Sequence, residues 1–327
     1  MEPPGRDGVR GRSGASQTAR ARTRHVTPCP SSYCVAVSSV SSAVVRAIED
    51  DDIGVVAEFL HANQTSRVGV EQWKRAMTPP WDENQPNHGF LLEDQGTVVG
   101  AYLALYATRP IGGQPEAFCN LAAWCVLPAY RHQGLRLLRA LLAQPGYHFT
   151  DLSPSGNVVA LNRRLRFEAL DTATALVPNL PHPRFPGGGR MRLISDPHEV
   201  LDRLEGHERA LYEDHVGAAA AHHLALVRDR DACYVVFRPD RRKGLPLFAS
   251  LLYVGNGRLF QAGQQLVYRH LLLRHRIPFT LVELRLSRSR PRLAVMLRSP
   301  RPKMYRSPTL AADQIDYLYS ELACVSW

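Results

Sequence analysis

An apolar run that feeds through a short turn into a leucine-rich helix constrains this chain more than any other feature. Phe118 to Leu127 carries aromatic, aliphatic and Cys side chains and no charge. A strand of that length without polar alternation is buried on both faces and sits in the middle of its sheet. Pro128-Ala-Tyr-Arg-His-Gln-Gly134 follows, then leucines at 135, 138, 141 and 142 at helical spacing. The first-turn N–H groups of such a helix have no intrahelical partner, and the helix dipole adds partial positive charge there, so the junction favours an anion. Gly134 removes a Cβ where backbone and ligand would meet, and Arg131 and Arg136 add full charges. Dipole effects alone give roughly 0.3 to 1 kcal/mol when exposed, so oriented amides and arginines must supply the rest of any affinity.

The surrounding chain reads as α/β. A strand near Val44 to Ile48 precedes a helix opening at Asp51 or Asp52. Leu91 to Glu93 and Val98 to Tyr106 form a hairpin through Asp94-Gln-Gly-Thr97. Residues 1–42 are rich in Ser, Gly, Arg and Pro without apolar period, and are expected to be a disordered basic tail; a transit peptide and a nucleic-acid-binding arm are the alternatives. Residues 178–190 hold four prolines and three consecutive glycines, which support neither helix nor central strand, and are expected to be a linker. The domains expected are therefore 43–177 and 191–327.

The junction resembles the pyrophosphate loop of the GCN5-related N-acetyltransferase (GNAT) superfamily, V-x-P-x-Y-R-x-x-G-x-G. Val126, Pro128, Tyr130, Arg131 and Gly134 match in register, and Arg136 stands where the family has Gly or Ala. Asp151 to Phe167 resembles the family's next strand, helix and L-G-F corner, with Arg166 in place of the corner glycine. The resemblance covers about Val44 to Val177. It implies a mixed twisted sheet with flanking helices and an acetyl-CoA or other acyl-CoA co-substrate. The cofactor would be held by Val126, Leu127, Arg131, His132, Gln133, Gly134, Leu135, Arg136 and Asn157, with Arg136 reaching outward to grip it. It also implies direct transfer of the acyl group to an amine on a small molecule or peptide. The slot in which the family often has a proton-donating tyrosine is Asn162, and the candidate bases are Glu116 and Asp151.

From Met191 a similar order recurs: a helix near Glu199 to His215, strands near His223 to Val227, Cys233 to Phe237 and Leu247 to Val254, a helix from Leu259 to His275, and a strand from Phe279 to Leu286. This suggests a second, degenerate acetyltransferase-like unit that shapes the acceptor cleft. Gly255-Asn-Gly-Arg258 lies where its loop belongs but lacks the motif spacing, so no second cofactor site is expected. A final amphipathic helix is expected from Ser307-Pro308, burying Leu310, Ile315, Leu318 and Leu322.

The formal charge is +10, almost entirely from arginine, since only Lys74, Lys243 and Lys303 are lysines. Arg285 to Arg306 holds seven arginines and Lys303 without an acid, around an apolar strand Leu293 to Leu297. Without interleaved aromatics it reads as a solvated rim, with nucleic acid as the weaker alternative. His207, His215, His222 and His223 fit no ligand spacing, so no metal is expected. Six scattered cysteines and the lack of a long apolar run point to a cytoplasmic protein without a membrane partner. The rival to an enzyme is a catalytically silent acyl-CoA-binding module, motivated by Asn162 and Arg136.

Overall fold

Two seven-stranded mixed sheets with helices on their faces make up the described residues, 43–81, 85–181 and 191–326 of the computed structural model. The expected tail and residues 182–190 of the expected linker lie outside them. The first half runs β1 (Val44–Ala47), α1 (Ile53–Asn63), α2 (Val70–Met77), β2 (Gly89–Asp94), β3 (Thr97–Ile111) and β4 (Gln114–Val126). It continues with α3 (Gly134–Leu142), β5 (His148–Asp151), α4 (Gly156–Arg164), β6 (Glu168–Ala169) and β7 (Thr174–Pro178). The second runs β8 (Met191–Ile194), α5 (Pro197–Arg203), α6 (Gly206–His215), β9 (His222–Arg228), β10 (Asp231–Arg242) and β11 (Leu245–Val254). Then come α7 (Gly257–His275), β12 (Phe279–Glu283), α8 (Leu284–Ser287), β13 (Val295–Met296), β14 (Met304–Arg306) and α9 (Glu321–Cys324).

The first sheet has the order β1-β2-β3-β4-β5-β14-β6 and the second β8-β9-β10-β11-β12-β7-β13. The pairings correspond position by position. The first four strands of each are antiparallel, the fourth and fifth are parallel, and the last two join antiparallel. The sixth place in each sheet is filled from the other half: β14 enters the first sheet, and β7, which precedes the Pro/Gly segment, enters the second. The mixed α/β reading holds, as does the repetition of one strand order.

Helices cover both faces of the first sheet. Val56, Leu60, Trp73 and Met77 of α1 and α2 are buried against Leu103 and Leu105 of β3. On the opposite face Leu137, Leu138 and Leu141 of α3 are buried against Cys119, Leu121 and Phe149. Each of those leucines contributes roughly 1.5 to 3 kcal/mol relative to exposure, enough to fix the helix start over the end of β4.

Four local expectations are corrected. The strand expected over Phe279 to Leu286 ends at Glu283, where α8 begins. The helix near Glu199 to His215 is two helices, α5 and α6. The strand expected over Leu293 to Leu297 shrinks to β13, with Leu293 and Val295 exposed. The long final helix does not form. Ser307 Oγ does accept the N–H groups of Thr309 and Leu310, as a cap would. Beyond it there is only a 3₁₀ turn at Ala312–Gln314 before α9. Tyr317 to Val325 is buried on every side rather than along one stripe, and the Arg285 guanidinium binds the Ala312 and Ile315 carbonyls. A segment wedged into the core in this way takes its backbone partners from the core, not from its own next turn.

Candidate active site

The pairing of β4 with β5 ends early. Phe118, Cys119 and Asn120 pair with His148, Phe149 and Thr150, after which β5 stops at Asp151 while β4 runs on to Val126 along β3 alone. The β3–β4 register also slips between Tyr102 and Ala104, so that Tyr102 faces Trp124 and Ala104 faces Leu121. This bulge re-aims the β4 backbone where the strands part. A cavity of about 340 Å³ occupies the fork, lined by Ala122 and Trp124 on one arm and by Asp151, Ser153 and Val158 on the other. Residues of the second half close its mouth, among them Asp240, Arg242 and Arg301.

Asp151 sits at the apex. It is 4% exposed, and Asn162 Nδ2 of α4 donates to its Oδ2 at 2.8 Å. Burial, reinforced by the nearby Glu321 carboxylate, raises Asp151 to about 7, while the Asn162 bond opposes the rise. Glu321 is itself fully buried and shifted upward by burial. Its Oε1 accepts from Ser153 Oγ at 2.6 Å, and its N–H donates to Asn120 Oδ1 at 3.2 Å. Asn120 in turn donates to Thr150 Oγ1 at 3.0 Å. Asn162 Oδ1 and Glu321 Oε2 are buried without hydrogen-bond partners, so this polar cluster is left with unused acceptors.

The loop between β4 and α3 is tighter than an open anion cradle. Pro128 starts a 3₁₀ segment, Pro128–Gln133, because its fixed φ and missing N–H suit a first helical position. The Gly134 N–H is consequently bonded to Arg131 O. Arg136 Nη1 donates to Ala43 O and to Gln133 Oε1, both at 2.6 Å, tying the loop to the start of β1. Arg131 and His132 are exposed beside it. Trp124 stacks on Tyr102 with ring centroids 4.7 Å apart, and its buried Nε1 has no partner. That unused donor lies beside Gly134, where an added Cβ would come within 3.7 Å of it. A tight loop bearing exposed cationic side chains at the end of β4, beside a fork between strands, fits an acyl-CoA with its thioester in the fork.

The second sheet has the matching fork without the matching chemistry. β11 and β12 part after Ser250 and Leu281, so the register position of Asp151 is held by Val282. At the loop, the Glu208 carboxylate lies against Gly255, where a Cβ would come within 1.5 Å of Oε1. A carboxylate already seated there repels a phosphate. The corresponding cavity, about 330 Å³, shares Ser153, Asp240, Arg242 and Arg301 with the first.

Of the residues singled out from sequence, the structure brings Asp151 and Asn162 together at the fork. Val126, Leu127 and the loop 131–136 flank one side of it, and Asn157 is exposed in the first turn of α4 on the other. Glu116 is elsewhere: it lies on β4 before the fork, 2.9 Å from His148 Nε2, whose Nδ1 faces Ser307 Oγ at the same distance. Sequence reasoning does not reach Glu321, Ser153, Asn120 or Trp124. Glu321 follows Ser320, which caps the short α9, but no local pattern announces that it reaches the fork across the sheet. Among the described residues no three His, Cys, Asp or Glu side chains are placed to hold a metal ion, and no helix is long and apolar enough to cross a membrane.

No protein-family model matches the sequence, and no curated protein matches it. Solved structures do. A GCN5-related N-acetyltransferase from Anabaena variabilis superposes with a TM-score of 0.52 at 15% identity, over 81% of this chain and 72% of that one. A Pyrococcus horikoshii protein described as an acetyltransferase gives 0.50 at 14% identity, over 87% and 96%. The glucosamine N-acetyltransferase region of a fungal multi-domain β-N-acetylglucosaminidase gives 0.52 at 15% identity, over 81% of this chain and 38% of that one. The strand order, the fork between β4 and β5 and these superpositions agree: the chain has the GCN5-related N-acetyltransferase fold, with its sheet repeated in the second half.

Proposed function

We propose that the chain transfers an acyl group from an acyl-CoA to an amine acceptor held between its two halves, with Asp151 as the general base. The observation that carries this reading is a buried carboxyl raised to about 7 at the apex of the β4–β5 fork. Acyl-CoA supplies the activated thioester. Val126, Leu127 and the segment Arg131 to Arg136 would hold its nucleotide end, with Trp124 Nε1 as an additional donor and Asn157 beside its arm.

The chain's own residues account for proton handling. An amine reaches the fork as an ammonium ion and must lose a proton before it can attack. A base near pH 7 does this best, because it is substantially ionised and still a competent acceptor. Asp151 meets that condition, and Asn162 steadies its ionised form and fixes its orientation. Glu321 raises the affinity of Asp151 for a proton, and its own Oε1 accepts from Ser153 Oγ. Alignment of amine and thioester within the walled fork contributes the rest.

The nucleic-acid alternative loses much of its basis, because the basic run is partly structural. Arg285 binds Tyr317 Oη and two carbonyls, and Lys303 is buried on Glu283. Release of free CoA thiol across an amine panel tests the proposal against a silent binding module. Turnover that Asp151→Asn abolishes while CoA binding persists supports it. CoA binding with no turnover on any amine removes it.

A further inference from the structure

We infer that the fork of the second sheet is the acceptor site, and that it takes an amine with an apolar body and a carboxylate, the class of the apolar α-amino acids. This rests on the acyl-transfer reading, and it concerns a cavity that reading leaves without a role. The second cavity is about 330 Å³, room for an aromatic side chain, and it adjoins the first through Ser153 and Asp240. Its walls are apolar: Leu176 of β7, Phe248 and Leu252 of β11, Leu281 of β12, Leu297 and Leu322.

Its charges are arranged for an anion. Two buried cations are already neutralised inside it. Arg238 Nε lies 3.2 Å from Asp240 Oδ1, and Lys303 pairs with Glu283, whose other oxygen accepts from Tyr317 Oη. Asp240 Oδ2 also accepts from Ser250 Oγ. Arg242 and Arg301 line both cavities and have no carboxylate within ion-pair distance among the described residues. Two uncompensated guanidinium groups at the passage repel a bare ammonium ion. An amine that brings its own carboxylate is instead held there, because the guanidinium fork binds carboxylates in bidentate fashion. With the carboxylate on Arg242 and Arg301 and the apolar side chain among the leucines, the amine is left at the junction that opens toward Asp151.

The test is calorimetric binding of L-phenylalanine, phenethylamine and glycine, with CoA titrated separately, to the full chain and to Arg242→Gln/Arg301→Gln and Leu281→Trp. Phenylalanine should bind, phenethylamine and glycine about tenfold or more weakly, and the double variant should lose phenylalanine by a similar factor. Leu281→Trp fills the chamber and should lose phenylalanine while keeping CoA. Phenethylamine binding as tightly as phenylalanine, or phenylalanine indifferent to both variants, overturns the inference. If CoA binds and thiol is released to amines lacking a carboxylate, the inference fails while the acyl-transfer reading stands. If phenylalanine binds through the arginines but CoA does not bind, the acceptor site stands and the acyl-transfer reading fails.

Discussion

Replacing Asp151 by Asn separates a structural carboxylate from one held near neutrality by burial. The ordinary aspartate value is 3.8, and in the fold burial and Glu321 raise it to about 7. Between these values the native state keeps a proton that the unfolded chain has lost, so stability falls as pH rises through that window and levels off above about 7. Each unit corresponds to about 1.4 kcal/mol, so from pH 5 to pH 8 the wild type should lose about 3 kcal/mol through this one group. The carboxamide of the Asp151→Asn variant cannot ionise, so the variant loses none of it. Urea unfolding of both proteins at pH 5, 6, 7 and 8 measures the effect: the variant should gain on the wild type by about 3 kcal/mol across the series, most of it before pH 7. The wild-type kcat/KM should rise with pH and reach its plateau above about 7. A stability difference that stays constant with pH means that Asp151 titrates as an ordinary carboxyl and refutes the assignment.

Asn162→Ala removes the hydrogen bond that favours ionised Asp151, so the rising limb of the pH–rate profile should move up by about 1 to 2 units, given roughly 1.5 to 3 kcal/mol for a bond to a charged group; an unmoved profile contradicts the positioning role. Lys303→Met leaves Glu283 buried without its cation and should destabilise the chain by about 3 to 5 kcal/mol in chemical denaturation, whereas Lys303→Met/Glu283→Gln should recover much of that loss. Gly89 has φ of +112°, and a Cβ there would lie 2.2 Å from Tyr102 O on the strand that supports Trp124. Gly89→Ala should therefore lower the thermal midpoint sharply, by an amount equivalent to about 3 kcal/mol or more; a midpoint near wild type contradicts the β2–β3 geometry.

The elements legible in the sequence are those whose signal is local. The uncharged run ending at Leu127 marks the central strand, and Pro128, Gly134 and the leucines behind them mark the turn and the helix. Asp151 and Asn162, eleven positions apart, can be placed at the end of a strand and within the next helix, and they meet at the fork. What stays hidden depends on distant partners. β14 is only three residues long, and nothing local directs it into the first sheet between β5 and β6. β7 likewise reads as the close of the first unit, yet its ladder is with β12. The apolar residues from Leu310 to Leu322 fit a helical stripe, but burial from all sides removes the solvent-facing surface that such a stripe presupposes. Glu321 is invisible for the same reason, since its role comes from contact with Ser153 and Asn120 across the sheet.

The central claim is that the fork between β4 and β5 holds the thioester end of an acyl-CoA beside Asp151. A crystal structure of the full chain grown with CoA tests it most directly. The account predicts the pyrophosphate against Arg131 to Arg136 and the CoA sulfur between Trp124 and Asp151. CoA bound outside that fork, or absent from crystals grown at saturating concentration, contradicts it.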